Sequence, residues 1–371
     1  MDEYEIGKRL RVICTPAHTS SSAGDNPGER SEIDLELEIL HAYTPFTTSV
    51  VCLVRIISLS TSPPVGGLPE TCVLKLYDRR YAINARETFD AGRLYSAAKE
   101  AAYQRFLQAA VADPSIEEKT IWQLSEEEDE GGVEAYLERS CQKQYIAEMG
   151  AYGDLAELQG TLIPTLYGSV RYRLAAPLPS SSPVGGTPSP IRYGVNGILI
   201  EHIPSTTLEA YLTAAMQSDP IPYDYISDVC DQVIKLMDRL DNFKVLNQDC
   251  GMRNILVVSD AASQPELSPS SIRPSRCVAI DFAYSRLRFP DETDEQWRRA
   301  KENQSEQEVI GCHISQLLAS LARARPSETA KAGLWKNVRA NRRWYRELSK
   351  EEQKAYQTDG HWGLSKAAGQ Q

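Results

Sequence analysis

The chain has 371 residues, 42% of them hydrophobic and 25% charged, which is the composition of an ordinary globular protein. Its formal net charge of −11 argues against a nucleic-acid partner, because a phosphate backbone binds lysine and arginine. No apolar run approaches the ~20 residues of a membrane-spanning helix, and eight cysteines without a C-x-x-C pair are typical of buried, reduced thiols rather than of a disulfide or zinc framework.

The N-terminal region begins with "MDEYEIGKRLRVICT", which places acidic residues first and lacks the apolar core of a signal peptide. With no signal and no membrane partner, we expect a cytoplasmic or nuclear protein. Residues 15–31 are polar and contain glycine and proline. Residues 1–31 are therefore predicted to form a flexible leader.

Three strands are predicted next. Apolar residues alternate at Ile33, Leu35, Leu37 and Ile39, and this period of two is typical of a half-buried strand. The runs "SVVCLVRIISL" and "TCVLKLYD" follow after a short polar link and a Pro/Gly-rich turn. Together they predict an antiparallel meander.

Helices and strands then mix. Residues 86–112 are alanine-rich and predict a helix, and a second helix is predicted at about 134–158 with Gly160 as its C-cap. The runs "TLIPTLYGSVRYRL" and "GILIEHIP" predict two further strands. Two Ser/Pro-rich stretches, residues 176–190 and 259–275, predict mobile surface loops.

The C-terminal half is predicted to be mostly helical. The run "YDYISDVCDQVIKLMDRLDNF" has apolar residues at helical spacing, and "EQEVIGCHISQLLASLA" follows a possible capping box of Ser305 and Glu308. This order predicts an α+β protein with two lobes, residues 32–203 and residues 204–371.

The stretch "VLNQDCGMRNILVV" places Asp249 and Asn254 in a short polar loop between two apolar runs. One interpretation is a turn rich in Asp and Asn, which favour turns through their own side-chain hydrogen bonds. The other is a phosphoryl-transfer loop, in which the Asp orients a hydroxyl and the Asn holds a metal ion.

Three more polar residues fit the second interpretation. Lys75 lies within an apolar strand, where a lysine needs a charged partner, and Glu148 lies on a helix. Asp281 follows the apolar run "CVAI". A triphosphate needs an oriented lysine, its metal ions need oxygen ligands, and the acceptor hydroxyl needs a nearby carboxylate.

The order of these residues resembles the eukaryotic protein-kinase fold. Its V-A-I-K strand is similar to "VLK" ending in Lys75, its catalytic loop to "NQDCGMRN", and its D-F-G to "DFA". "GILIEHIPSTTLEAYL" resembles the hinge, with Glu201 and Ile203 in the adenine-facing segment. More narrowly, "VLKLYDRRYA", "EMGAYGDLAELQGTLIPTLYG" and "DFAYSRLRFPDETDEQWRRAK" resemble divergent kinase-like proteins of filamentous and mushroom-forming fungi.

The resemblance covers about residues 33–323 and implies a two-lobed fold, with an antiparallel-sheet N-lobe that carries a helix αC and a shortened, mostly helical C-lobe. It implies a phosphotransferase that uses ATP and Mg²⁺ on a hydroxyl of a protein or small molecule. It implies the following roles: Asp249 as catalytic base, Lys75 in catalysis and nucleotide binding, Glu148 (or, as an alternative, Glu100) as the partner of Lys75, and Asn254 and Asp281 as metal ligands.

The sequence also departs from that pattern. The link "HAYTPFTTS" stands where the glycine-rich loop would be and contains no glycine, so only hydroxyls such as those of Thr44, Thr47, Thr48 and Ser49 could replace its amides. Gln248 replaces the arginine of the catalytic loop, Ala283 replaces the glycine of D-F-G, and no A-P-E follows. The alternative is a pseudokinase that serves as a binding module with weak or no nucleotide binding.

Overall fold

The computed structural model describes residues 2–17, 32–59, 68–89, 91–92, 94–127, 129–174, 194–259 and 274–323. The chain divides into two compact units. The barrel unit comprises Met1–Met149 and Thr165–His202, and the helical unit comprises Gly150–Pro164 and Ile203–Gln371. The predicted lobes divide the chain once, after residue 203. In the structure, the segment Gly150–Pro164, which precedes that division, also belongs to the helical unit.

Six strands of the barrel unit form one closed antiparallel sheet in the order β1-β2-β3-β4-β6-β5. Their bounds are β1 Arg9–Pro16, β2 Ile33–Ala42, β3 Val50–Leu59, β4 Thr71–Leu76, β5 Leu166–Arg173 and β6 Gly194–Ile200. The predicted meander is confirmed, because β2 pairs with β3 and β3 pairs with β4, both antiparallel.

The interior of this sheet is an apolar core. Ile33, Leu35, Leu37 and Ile39 are all buried, since alternate side chains of a strand point to the same face. Cys14, Cys52 and Cys72 belong to the same core, so these thiols are buried, as the sequence predicts. Burial raises the pKa of the Cys14 thiol to about 11.

The N-terminal region is not a flexible leader over its whole length, and that prediction is wrong for residues 9–16. They form β1, which pairs with β2 on one side and β5 on the other and so closes the sheet. Leu10, Val12 and Cys14 point into the core, and the burial of these apolar side chains is the physical reason why residues 9–16 form a strand. A closed six-stranded sheet is not typical of a kinase N-lobe, so of the predicted lobe the structure supports only its antiparallel sheet. Residues 18–31 lie outside the described residues.

A buried tyrosine secures this N-terminal segment. Tyr4 is 3% exposed and its hydroxyl donates to Oδ2 of Asp78 at 2.8 Å. We expect Tyr4→Phe to lower the free energy of unfolding by about 1–2 kcal/mol, because it removes a hydrogen bond to a buried carboxylate while Arg80 continues to donate to it. Urea denaturation measures the change, with Tyr43→Phe as the exposed control. Equal stability of the two variants would contradict this anchoring role.

In the part of the barrel unit that the structure describes, four α-helices begin, namely α1 Ile83–Thr88, α2 Ala97–Ala112, α3 Ile121–Glu126 and α4 Glu130–Asp154. The helix predicted for residues 86–112 is interrupted before α2, whose N-cap Ser96 accepts the Lys99 backbone N–H. Gly160 is not the C-cap of α4, which ends at Asp154. It has a φ of +73° in a later turn, where its N–H donates to the Ile163 carbonyl.

The described residues of the helical unit form four α-helices, α5 Leu208–Gln217, α6 Tyr223–Leu240, α7 Asp294–Gln304 and α8 Glu306–Arg323. Its short strands are β7 Thr206–Thr207, β8 Val245–Asn247, β9 Ile255–Ser259, β10 Pro274–Ala279 and β11 Ser285–Leu287. They pair as β10-β9-β7 and β11-β8, all antiparallel. The protein is therefore a mixed α and β structure with antiparallel sheets.

The predicted apolar face of α6 is confirmed, because Ile226, Val229, Val233, Leu236, Met237 and Leu240 are all buried. Helix α8 begins at Glu306, directly after Ser305, so the capping box predicted for Ser305 and Glu308 stays a prediction. Ser305 has a φ of +44° and is the C-cap of α7. Thr293 and Gln296 form a capping box at the start of that helix.

The predicted loop 176–190 lies outside the described residues, as do residues 260–273 of the second loop. The residues that flank the second gap are strand ends of β9 and β10. None of the helices in the described ranges has the length and apolarity needed to cross a membrane.

Candidate functional site

Lys75 lies near the end of β4, between Val51 of β3 and Ile198 of β6. Its Nζ is 2.6 Å from Oε2 of Glu148 on α4, and both side chains are buried. The Tyr77 hydroxyl donates to the same oxygen. A buried lysine needs such a partner, because an unpaired charge is costly to remove from water. The predicted pairing of Lys75 with Glu148 is confirmed.

The alternative partner, Glu100, has a different role. Its Oε2 accepts hydrogen bonds from Arg79 and from the Tyr95 hydroxyl, both at 2.5 Å. Its Oε1 accepts from Gln104 at 2.8 Å. Glu100 therefore belongs to a cluster around Arg79, and Glu148 is the carboxylate that orients the lysine.

In the helical unit, the loop between β8 and β9 brings Asp249 and Asn254 into contact. The Asn254 side-chain amide donates to the Asp249 carbonyl at 2.9 Å and to its Oδ2 at 3.0 Å. Asn247 Oδ1 accepts the Asp249 backbone N–H at 3.0 Å, so the loop also contains the Asx turn that the first interpretation expects. The turn and the side-chain pair coexist.

Asp281 lies beside this loop, because two backbone hydrogen bonds join the segments. The Ile280 N–H donates to the Asn254 carbonyl at 2.9 Å, and the Gln248 N–H donates to the Tyr284 carbonyl at 3.3 Å. The segments that carry Asp249, Asn254 and Asp281 are thus neighbours within one unit.

The backbone at Asp281 is unusual. Its φ is +63°, a left-handed conformation that residues other than glycine rarely adopt, although Asp and Asn do so most readily. The next residue, Phe282, is fully buried and packs edge-on against the Tyr152 ring, with 5.7 Å between the two ring centres. This anchoring holds the chain so that the strained residue keeps its place beside the loop.

The donor atoms fit a magnesium ion chemically. Because the Asn254 nitrogen donates to Asp249, its Oδ1 is the atom that a cation would take, and the Asp281 carboxylate would be the second oxygen ligand. Mg²⁺ is usually bound by one or two protein ligands together with water and phosphate oxygens. Within the described part of the chain, no group of three or more His, Cys, Asp or Glu could hold a metal ion.

Arg253 covers the carboxylate of Asp249. Its Nη2 lies 3.2 Å from Oδ1 and 3.3 Å from Oδ2, while its side chain is 70% exposed. An exposed pair of this kind contributes little stability, because water screens it. The main consequence of the contact is that Arg253 occupies the position that another hydrogen-bonding group would take at the Asp249 carboxylate.

A residue outside the predicted site secures the start of this loop. Glu306, the first residue of α8, is buried and its Oε1 accepts the Asn247 backbone N–H. Lys301 Nζ lies 3.7 Å from its Oε2. Burial raises the pKa of Glu306, opposed by Lys301 and by the Asn247 hydrogen bond. An acid at a helix start is usually an exposed cap, so the sequence carried no signal for this role.

Cys250, beside Asp249, is a buried structural residue, as predicted. Its Sγ donates to Sδ of Met237 at 3.3 Å. Burial is the largest cause that raises the pKa of its thiol, which therefore stays protonated at neutral pH and is a poor nucleophile.

The predicted adenine-facing residues stay predictions. Glu201 is engaged within the barrel unit, where its Oε2 accepts both the backbone N–H and the hydroxyl of Thr165 at 3.0 Å. Ile203 is 8% exposed and belongs to the helical unit.

The glycine-free link between β2 and β3 is tied to its surroundings. Phe46 packs edge-on against Tyr4 and Tyr81, and the Thr47 carbonyl accepts the Asn84 N–H of α1 at 2.9 Å. Thr48 and Ser49 are buried. Of the hydroxyls expected to replace glycine-loop amides, only those of Thr44 and Thr47 belong to exposed residues.

No protein-family model and no curated protein matches the chain. Among solved structures, it is similar to one described as "WaaP in complex with acyl carrier protein". The identity is 13%, the match covers 77% of this chain and 78% of that one, and the TM-score is 0.34. At that similarity the match carries no argument about fold or function.

Proposed function

We propose that the chain is a phosphotransferase of protein-kinase-like fold, which uses ATP and Mg²⁺ to phosphorylate a hydroxyl of a protein or small molecule. The observation that carries the proposal is the pair of hydrogen bonds joining the Asp249–Asn254 loop to the Asp281 segment. They join the backbone that precedes Asp281 to the loop that carries Asp249 and Asn254, which supports one shared site for the two carboxylates and the amide oxygen. Kinship with the fungal kinase-like proteins is part of the proposal and rests on the sequence motifs.

In this proposal each residue has one task. Lys75, held by Glu148, offsets the charge of the nucleotide phosphates. Asn254 and Asp281 would hold Mg²⁺, which when bound neutralises the phosphate oxygens. Asp249 orients the acceptor hydroxyl and accepts its proton, and for this the hydroxyl must take the place of Arg253 at the carboxylate.

The alternative is a pseudokinase that binds partners without phosphoryl transfer. The link between β2 and β3 favours it, because that segment has no glycine and packs through Phe46 into the barrel unit. Amides of such a segment are less able to approach phosphate groups than those of a glycine-rich loop.

Calorimetric titration with ATP at fixed Mg²⁺ distinguishes these functions. We expect the wild type to bind ATP and to lose most of that affinity when Mg²⁺ is removed. Asp281→Asn should weaken Mg²⁺-dependent binding about tenfold or more, because a charged ligand is replaced by a neutral one. The matched control is Asp291→Asn, an exposed acid of the same unit. No binding by the wild type at millimolar ATP would favour the pseudokinase.

A further inference from the structure

A cavity of about 510 Å³ opens among the helices of the barrel unit, between the start of α3 and the middle of α4. Its volume is within the range of small-molecule sites, which is ~300–1,000 Å³. The residues that line it are Lys119, Thr120, Ile121, Trp122, Tyr136, Arg139, Ser140 and Lys143. None of them takes part in the proposed phosphoryl transfer.

The charge of this cavity is opposite to that of the chain. Three cationic side chains line it, Lys119, Arg139 and Lys143, and no carboxylate is among the described residues of its wall. Lys119 is already paired with Glu127 at 2.6 Å, so Arg139 and Lys143 are the cations on which the argument rests. The whole chain carries a net charge of −11. Arg139 and Lys143 are four residues apart on α4, and like charges at this spacing destabilise a helix.

The cavity also presents flat aromatic surface. Trp122 is 77% exposed on the short helix α3, although indole rings are usually largely buried. The Arg139 guanidinium lies over the Tyr136 ring, 5.7 Å from its centre. A ring placed between such groups can stack while its anionic substituent meets the cations.

A neighbouring cavity of about 580 Å³ provides the contrast. It shares Lys119 and adds Arg105, but Asp129 and Glu130 also line it, so both signs of charge are present. Its wall can neutralise itself, and it has no tryptophan. Cationic side chains without a carboxylate among the described wall residues, together with the exposed indole of Trp122, distinguish the first cavity.

We propose that the cavity lined by Trp122, Arg139 and Lys143 binds a small organic anion that carries a flat ring, as an aryl phosphate or an aryl carboxylate does. A small ligand fits better than a polyanionic macromolecule, because the net charge of −11 repels large anions. A small ligand inside the cavity is held by the local cations, which act over about one Debye length, ~8 Å at physiological salt. The proposal is independent of the phosphotransferase function.

The test is calorimetric titration of the full chain with phenyl phosphate, benzoate and inorganic phosphate. We expect one or both aryl anions to bind in the millimolar range of a weakly held fragment and inorganic phosphate to bind more weakly. Phenyl phosphate and benzoate distinguish a phosphate from a carboxylate source. Binding should weaken as salt is raised, since the contact is electrostatic.

Matched variants locate the site. Lys143→Glu should weaken aryl-anion binding at least about fivefold, because it reverses a charge at the wall, and Trp122→Ser should remove the advantage of the aryl anions over inorganic phosphate. Arg105→Glu, the same charge reversal in the neighbouring cavity, should leave binding unchanged. All three substituted residues are exposed in the wild type, and thermal unfolding checks that each variant is folded.

The proposal is overturned if neither aryl anion binds, or if Arg105→Glu weakens binding as much as Lys143→Glu. It is also overturned if Trp122→Ser leaves the affinity for the aryl anions unchanged, since the aryl ring of the ligand would then not stack on the indole. Repeating the titration with Asp281→Asn separates the two proposals, because loss of ATP binding there should leave phenyl-phosphate binding intact.

Discussion

Replacing Glu134 with alanine is expected to destabilise the protein by about 3–5 kcal/mol, the cost of removing one partner from a buried ion pair. Glu134 lies on α4 and is 1% exposed. Its two oxygens accept from Arg86 at 2.5 and 3.0 Å, and Oε2 also accepts from Arg79 at 2.5 Å. Arg86 is fully buried, so the variant leaves a guanidinium group without its counter-ion inside the protein.

Urea denaturation followed by circular dichroism measures this loss. The matched control is Glu130→Ala, which removes an exposed acid from the first turn of the same helix and should cost at most ~1 kcal/mol. Glu134→Gln should fall between the two, because its amide oxygen still accepts one hydrogen bond. If Glu134→Ala were as stable as the control, the buried ion pair of Arg86 with Glu134 would not stabilise the fold.

The elements that sequence predicts well are those with a strong local period. Ile33 to Ile39 alternate and form β2, and the apolar stripe of α6 repeats at helical spacing. By contrast, the alternating apolar pattern of β1 is short, because it comprises only Leu10, Val12 and Cys14. A polar stretch follows this strand in the sequence. Its second partner, β5, lies about 150 residues further along the chain. Strand pairing between residues so far apart in the sequence produces no local sequence pattern from which it could be predicted.

The same distinction holds for the site. The Lys75–Glu148 pair could be predicted because the motifs give both residues roles in a known order, although 73 residues separate them. The cluster of Arg79, Arg86 and Glu134 was missed, since charged residues are almost never fully buried unless they are paired, and sequence does not show the pairing. Glu306 was missed for a similar reason, as it contacts Asn247 from 59 residues away.

The last prediction concerns Asp249 and rests on the proposed function. Asp249→Asn keeps the size of the side chain and an oxygen that can accept the Asn254 amide, so the loop should keep its shape. It removes the negative charge and the ability to take up a proton. We expect phosphoryl transfer to fall by roughly 10²-fold or more, the contribution of a positioned acid–base group, while ATP affinity at fixed Mg²⁺ stays the same.

The pattern across variants distinguishes the two interpretations of the loop. Asp281→Asn should lose nucleotide affinity, and Asn254→Ala should behave similarly but more mildly, because a neutral ligand holds Mg²⁺ less strongly. Asp249→Asn should lose only turnover, measured as phosphate transfer or as slow ATP hydrolysis. If ATP binds but Asp249→Asn changes neither affinity nor turnover, Asp249 serves the Asx turn with Asn247 and another group must accept the proton.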